Sequence, residues 1–459
     1  VAGAAVLLGA ALTQSALPWF NGMLEGFLTM RLDFAACELW AALLGLAVLV
    51  TGLAGLYPAF FLARFQPVET LKGRLAARPA GARLRSGLVL FQFTLTVFLL
   101  ACTLTIHRQV HHMRALGFDF GATPVVAVPA SGEAFEDREA GRSAMQTLRD
   151  ELRRDPAVAA ASLSWGFPGA YWNTSTLRLG GTEERINVRT NWVDAHYFDL
   201  YGIDLVAGRG FAEARPGDGD RVAVVNEAFL EAFEWDTYEG KTLHPNYDAT
   251  WEVVGVVEDF AYAAPTQPLG PVVHVFDGEP GFGWLSVRAA TDDPQAVLAL
   301  LEAAWPGTGA RRALTTTFAD DHYGEQFVAQ DALLAFVTYA AGFAFVIAFI
   351  GLVGLAMLLA VQRTKEIGVR KVLGASVGQL VVLLVRGTAA LVGGAAVLAA
   401  PLAVLVMGAW LEQYPYRVEV GAGPLVLVAA LVLAAALLAV GGQAVRAAQA
   451  DPVQALRSE

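Results

Sequence analysis

Gln362-Arg363-Thr364-Lys365-Glu366-Ile367-Gly368-Val369-Arg370-Lys371-Val372-Leu373-Gly374-Ala375-Ser376 separates two long apolar runs, 332–361 and 380–410. Runs of that length can cross the ~30 Å hydrocarbon core of a bilayer, so the stretch between them reads as a turn at a membrane surface. Its first half is charged, and Ile367, Val369, Val372 and Leu373 add apolar side chains. A brief helix there would present one charged and one apolar face. Gly374 suits a C-terminal helix cap, since glycine takes a positive φ without steric cost, and Ser376 suits the N-cap of the following helix.

Composition agrees with a membrane protein. The 459 residues are 55% hydrophobic and 16% charged, with a mean hydropathy of +0.48. The net charge of −11 hides a division. Residues 107–327 hold 17 Lys and Arg against 33 Asp and Glu, a balance of −16, while the remainder holds 15 against 10, a balance of +5. A large acidic domain is thus set into a mildly basic membrane frame. Cys37 and Cys102 lack metal-ligand spacing and are expected to be packing residues.

The expected spans are 1–17, ended by Pro18, then 39–62, 87–106, 332–361, 380–410 and 424–445. Arg64, Lys72, Arg74, Arg78, Arg83 and Arg85 follow the second span with only Glu69 opposing them, which places that connection in the cytoplasm. The acidic domain then lies outside, and the 362–378 loop and the C-terminus lie inside. Pro67-Val68-Glu69-Thr70-Leu71-Lys72 and Pro452-Val453-Gln454-Ala455-Leu456-Arg457 share Pro-Val-x-x-Leu-basic at equivalent topological positions, which reads as an internal repeat. The sequence opens apolar, without the charged region of a signal peptide, and reads as starting inside a transmembrane helix. The expected division is 1–64 as the last two spans of an earlier repeat, 65–86 as a basic linker and 87–106 as a span. Residues 107–327 form the outer domain, and 328–459 a three-span domain carrying the loop.

In the outer domain, branched or alternating patterns predict strands at 125–128, 158–165, 174–179, 186–192, 222–225, 253–257, 272–276, 285–287 and 314–318. Helical periodicity marks 143–154, 227–233 and 294–304. The domain is therefore mixed, α+β.

The 362–376 stretch closely resembles the loop after the second span of each four-span unit in FtsX-like and MacB-like ABC transporter permeases. The segments 194–209 and 254–260 resemble the MacB-type periplasmic core domain. The resemblance implies a polytopic α-helical membrane protein of the bacterial inner membrane with a large extracytoplasmic domain. That domain would hold one subdomain from 107–165 and 280–327, with a second inserted between. It also implies that Arg363, Lys365, Glu366, Ile367, Gly368, Arg370, Lys371, Leu373 and Gly374 couple the loop to an ABC ATPase in two copies. ATP and magnesium would be bound there, with no cofactor in this chain. A plain topogenic loop, with each basic residue contributing about 1 kcal/mol at an anionic leaflet, is the simpler alternative, but it needs no Glu366, Gly368 or Gly374. MacB-like proteins carry a fused ATPase and dimerise, so their substrates do not transfer directly. Two other functions stay open: regulation of an envelope partner or periplasmic adaptor, and extraction of lipids or lipoproteins. Nucleic acid is not an expected partner.

Other chemistry was sought and is weak. These 459 residues contain no Gly-x-x-x-x-Gly-Lys-Ser/Thr loop for nucleotide phosphates. Ser162-Leu163-Ser164-Trp165-Gly166 is similar to a nucleophile elbow, but Ser162 stands where the tight turn wants glycine. His107, His111 and His112 read as a solvated stalk rather than a metal site, and Asp320, Asp321, His322 and Glu325 as a polar approach to a span.

Overall fold

A computed structural model describes residues 2–23, 31–63, 79–130, 135, 138–170, 172–183, 185–211, 222–246, 249–264, 266, 268–276, 283–362, 370, 373 and 375–449. Both halves of the Pro-Val-x-x-Leu repeat and the basic residues from Arg64 to Arg78 lie outside them. The chain divides into two compact units. One comprises Val1–Arg108, Val328–Trp410 and Glu419–Glu459, and the other Gln109–Phe327 with Leu411–Val418.

The first unit is helical: α1 (Ala2–Met23), α2 (Cys37–Ala63), most of α3 (Pro79–Ala115), α9 (Val328–Gln362), α10 (Val377–Leu411) and α11 (Ala422–Gln449). Among the described residues, four stretches are long and apolar enough to cross a membrane: Ser86–Ala115, Ala319–Met357, Val381–Leu411 and Ala422–Gly442. Their sequences are apolar all round, so periodicity alone does not reveal the inward face. Packing does. Val89, Phe93 and Val97 of α3 meet Ala348, Leu352 and Ala356 of α9, Val392, Ala395 and Ala399 of α10, and Val428, Val432, Ala436 and Val440 of α11. Steps of three or four residues keep each stripe on one helix face, and the many alanines allow close approach where lipid offers no hydrophobic drive. Leu405 and Leu438 of the outer faces stay exposed, as a lipid-facing surface requires. Thr96 is fully buried and donates to Gln92 O of its own helix and to Ala344 O of α9.

Two expectations need correcting here. Pro18 does not end α1, which runs on to Met23. A proline here frees one carbonyl, that of Gln14, a loss that transmembrane helices absorb through local adjustment. Trp19, just past the proline, sits in the helix and meets Tyr339 edge-on at 4.6 Å. Cys102 is buried as expected, but Cys37 is exposed.

The second unit carries an eleven-stranded sheet. Its strands are β1 (Val125–Pro129), β2 (Val158–Ser164), β3 (Asn173–Leu179), β4 (Arg185–Val193), β5 (Leu205–Gly208) and β6 (Val222–Asn226). β7 (Thr242–Pro245), β8 (Trp251–Val257), β9 (Val272–Phe276), β10 (Trp284–Ala289) and β11 (Thr317–Phe318) complete it. The order β11-β1-β10-β2 is an open antiparallel sheet. Helices α4 (Arg138–Leu152) and α7 (Gln295–Ala304) bury Met145, Leu148, Leu152, Val297 and Leu301 against Val126, Val128, Ala161, Leu163, Leu285 and Val287. The run β4-β3-β7-β8-β6-β9 returns to β4 through a parallel β4–β9 pairing, so these six strands form a closed barrel. Leu177, Val188, Val225, Leu243, Trp251 and Val273 fill it, with Phe229 of α6 (Glu227–Ala232). Each part thus has its own core, and a single pairing, Ser164 with Val193, joins sheet to barrel. The short helices α5 (Tyr197–Tyr201) and α8 (Ala319–Gly324) were not predicted, nor were β5 and β7. At the β5–β8 pairing, Gly208 has φ +77° and a Cβ there would overlap Val254 O. Only glycine meets both demands.

Candidate functional site

The loop between α9 and α10 is built from its ends. Ser376 and Gln379 form a reciprocal cap: Gln379 N donates to Ser376 Oγ at 3.3 Å, and Ser376 N donates to Gln379 Oε1 at 3.1 Å. This satisfies two of the donors left free at the start of α10 and makes Ser376 its N-cap. On the other side, Ala375 N donates to Arg370 O at 2.9 Å, the 6→1 bond that closes a helix end. In sequence, glycine directly precedes Ala375. Arg370 is exposed, and Leu373 is 80% exposed. Arg363, Lys365, Glu366, Ile367, Gly368, Lys371 and Gly374 lie outside the described residues.

A second site lies where sheet meets barrel. Asp194, just after β4, is buried, and its carboxylate accepts from Ser162 Oγ at 2.6 Å, Leu163 N at 2.8 Å, Arg149 Nη1 at 3.0 Å and His196 N at 3.0 Å. Four donors around one carboxylate tie α4, β2 and the start of α5 together. Burial is the main cause that lowers the His196 pKa, with Asp194 opposing it. Ser162 thus spends its hydroxyl on Asp194.

A third feature escaped sequence reading. Gln109 of α3 is fully buried and clasps the link Leu411–Val418, donating Nε2 to Tyr416 O at 2.7 Å and accepting from Val418 N at 2.9 Å. Leu269 N donates to the Tyr416 hydroxyl at 3.2 Å. The link is therefore part of the outer unit's fold. The available signal was a lone glutamine among Ile106, Val110 and Met113, all buried on the same helix. His322 Nδ1 lies 3.1 Å from Glu325 Oε2, and no cluster able to hold a metal occurs among the described residues.

A model of the MacB-like periplasmic core domain matches residues 94–303, and one of the FtsX-like permease C-terminal region matches 338–452. The chain is 27% identical over 395 residues to the macrolide export ATP-binding/permease protein MacB 1/2 of Paracoccus denitrificans (strain Pd 1222), covering 76% of this chain and 57% of that protein. Among solved structures, the periplasmic region of MacB from Actinobacillus actinomycetemcomitans is similar at 17% identity and a TM-score of 0.32, over 44% of this chain and 91% of that one. The extracellular domain of the noncanonic ABC-type transporter YknZ from Gram-positive bacteria is similar at 16% identity and a TM-score of 0.30, over 42% and 98%. Apolar spans and the two matched domains define a polytopic membrane protein with a large extracytoplasmic domain. The chain belongs to the FtsX/MacB-like family of ABC transporter permeases.

Proposed function

We propose that this permease couples ATP hydrolysis by a separate ATPase subunit, present in two copies, to movements of its extracytoplasmic domain that drive export. The observation that carries this reading is the exposed Leu373 beside Arg370, in a loop capped at α10 and joining two spans. An exposed leucine next to a cation is what a protein groove can fill and pair. The matched relative is named as both ATP-binding and permease protein, and the chain spans 57% of its length. Glu366, Arg370 and Lys371 would pair with the ATPase, and Ile367 and Leu373 would fill its groove. Arg363, Lys365, Gly368 and Gly374 would belong to the same coupling surface. ATP and magnesium enter only through that partner. The proposed site of action is the inner membrane, with loop and C-terminus in the cytoplasm.

Co-purification in mild detergent tests the coupling. Native permease is expected to bring down an ATPase, and a Glu366→Arg, Arg370→Glu, Leu373→Asp variant to bring down at least tenfold less at equal permease yield. Equal recovery would sink the docking role. Recovery with neither would favour the regulatory reading. The orientation has its own test: a Ser376→Cys protein is expected to react with a membrane-impermeant maleimide only after the inner membrane is opened, and labelling in intact cells would reverse the topology.

A further inference from the structure

The outer unit contains a cavity of about 80 Å³ that no part of the coupling mechanism uses. At roughly 10–15 Å³ per water-sized position, it encloses roughly five to eight such positions. Its walls are mostly apolar, from Leu116, Pro268, Leu269 and three alanines, with one cation, Arg189, and two phenols, Tyr262 and Tyr416. Lining of that kind offers water few partners, while a small polar group is fixed at one end.

Arg189 reaches the cavity from a rigid support. It lies on β4, paired with Thr174 of β3 on one side and Val272 of β9 on the other. Ile186 and Val188 point into the barrel core, so the alternation of a strand turns Arg189 outward. Among the described residues its guanidinium makes one hydrogen bond, a long 3.4 Å contact to Trp172 O, and pairs with no carboxylate. A guanidinium has five N–H donors, so most of its fork remains available. The Tyr416 hydroxyl accepts from Leu269 N, which leaves its own O–H to donate, and the Gln109 clasp fixes the backbone on which it stands. Tyr262 is held by stacking on Trp172 at 5.1 Å and 24°. Arg189, Tyr416 and, from outside the cavity lining, Asp259 are close enough to act electrostatically on Tyr262.

The domain as a whole is acidic, but charges beyond about 8–10 Å are largely screened at physiological salt. Within contact distance the guanidinium decides the sign. The geometry points to a binding site for a soluble organic monoanion: a carboxylate pairing side by side with Arg189 and accepting from Tyr416, and a short alkyl stem against Leu116, Pro268 and Leu269. Planar guanidinium and carboxylate match in a two-bond fork, which a lysine cannot reproduce. The assignment does not depend on the ATPase coupling.

Hexanoate is the probe, with calorimetric titration into the full chain in lipid nanodiscs and empty discs as the blank. Saturable hexanoate binding is expected, with none for hexan-1-ol or hexylamine. Arg189→Gln is expected to weaken it at least tenfold, Arg189→Lys by less, and Tyr416→Phe a few-fold, at unchanged melting temperature. Tyr416→Phe keeps the ring and removes one hydroxyl, which donates into the cavity and accepts from Leu269 N, so it keeps the test valid even if Arg189→Gln disturbs folding. Equal affinity is expected in phosphatidylcholine and phosphatidylglycerol discs. The site is refuted by no saturable binding at millimolar hexanoate, by equal binding of hexan-1-ol, or by undiminished binding to both Arg189→Gln and Tyr416→Phe. Competition by phosphatidylglycerol would overturn the soluble-ligand assignment.

Discussion

Replacing Asp194 with alanine is expected to lower the melting temperature of the extracytoplasmic domain by roughly 6–20 °C. The estimate combines about 3–5 kcal/mol for removing one partner of a buried ion pair with roughly 2–4 °C per kcal/mol for a domain of about 200 residues. Asp194 is buried and accepts four hydrogen bonds, so the deletion strands Ser162 Oγ, Leu163 N and the mostly buried Arg149 together. The damage falls where sheet and barrel share one pairing. Asp194→Asn keeps the shape, loses the charge and is expected to fall between. Thermal unfolding followed by tryptophan emission reads it directly, since Trp165 and Trp192 pack at 5.5 Å beside the joint. A shift below 2 °C for Asp194→Ala would show that the carboxylate does not hold the two parts together.

Acid is expected to weaken the same domain through His274. This histidine of β9 is fully buried among Trp172, Tyr197, Phe198 and Phe260, and neither ring nitrogen has a hydrogen-bond partner. Burial pushes its pKa down from 6.5 to about 3. The folded state thus keeps the ring neutral where the unfolded chain would protonate it. The stabilisation is fully present above pH 6.5 and is lost as pH falls from there toward 3. Across the whole window the loss is about 5 kcal/mol, and between pH 7.5 and 5 about 2 kcal/mol, before most carboxylates titrate. Urea midpoints measured at pH 7.5, 6 and 5 should fall accordingly, and His274→Phe, uncharged and of the same general shape, should flatten the profile. An equally steep profile in that variant would assign the acid sensitivity to other groups.

The legibility of the sequence varied with the kind of interaction involved. The spans expected at 87–106, 332–361, 380–410 and 424–445 and most strands were readable because each carries its own periodicity or length: β1, β2, β3, β4, β6, β8, β9 and β10 lie where branched residues alternate or cluster. β5 and β7 were missed because Leu205–Gly208 and Thr242–Pro245 are four residues each, too short for a period to show. Closure of the barrel was not readable, since the β4–β9 pairing joins residues about 80 positions apart and leaves no local trace. The Ser376 cap was readable because capping is local chemistry, and Gln379 completes it three residues on. Gln109 was passed over for the opposite reason: its partners, Tyr416 and Val418, are more than 300 positions away. Pro18 misled because the rule that proline ends a helix is calibrated on water-exposed helices.

The closed ring of six strands also governs how this domain behaves among its own copies. An open sheet offers unpaired amides and carbonyls at its margins, and these can recruit a strand from another molecule. In the barrel, β4, β3, β7, β8, β6 and β9 satisfy one another, and the open sheet ends on β11, a strand of only two residues. Among the described residues, two sizeable margins are left: β2, whose one pairing on the barrel side is Ser164 with Val193, and β5, where Leu205 and Val206 stand exposed. Strand addition between copies is thereby limited to these two margins, β2 and β5, while the ring of the barrel offers little to a strand from another molecule.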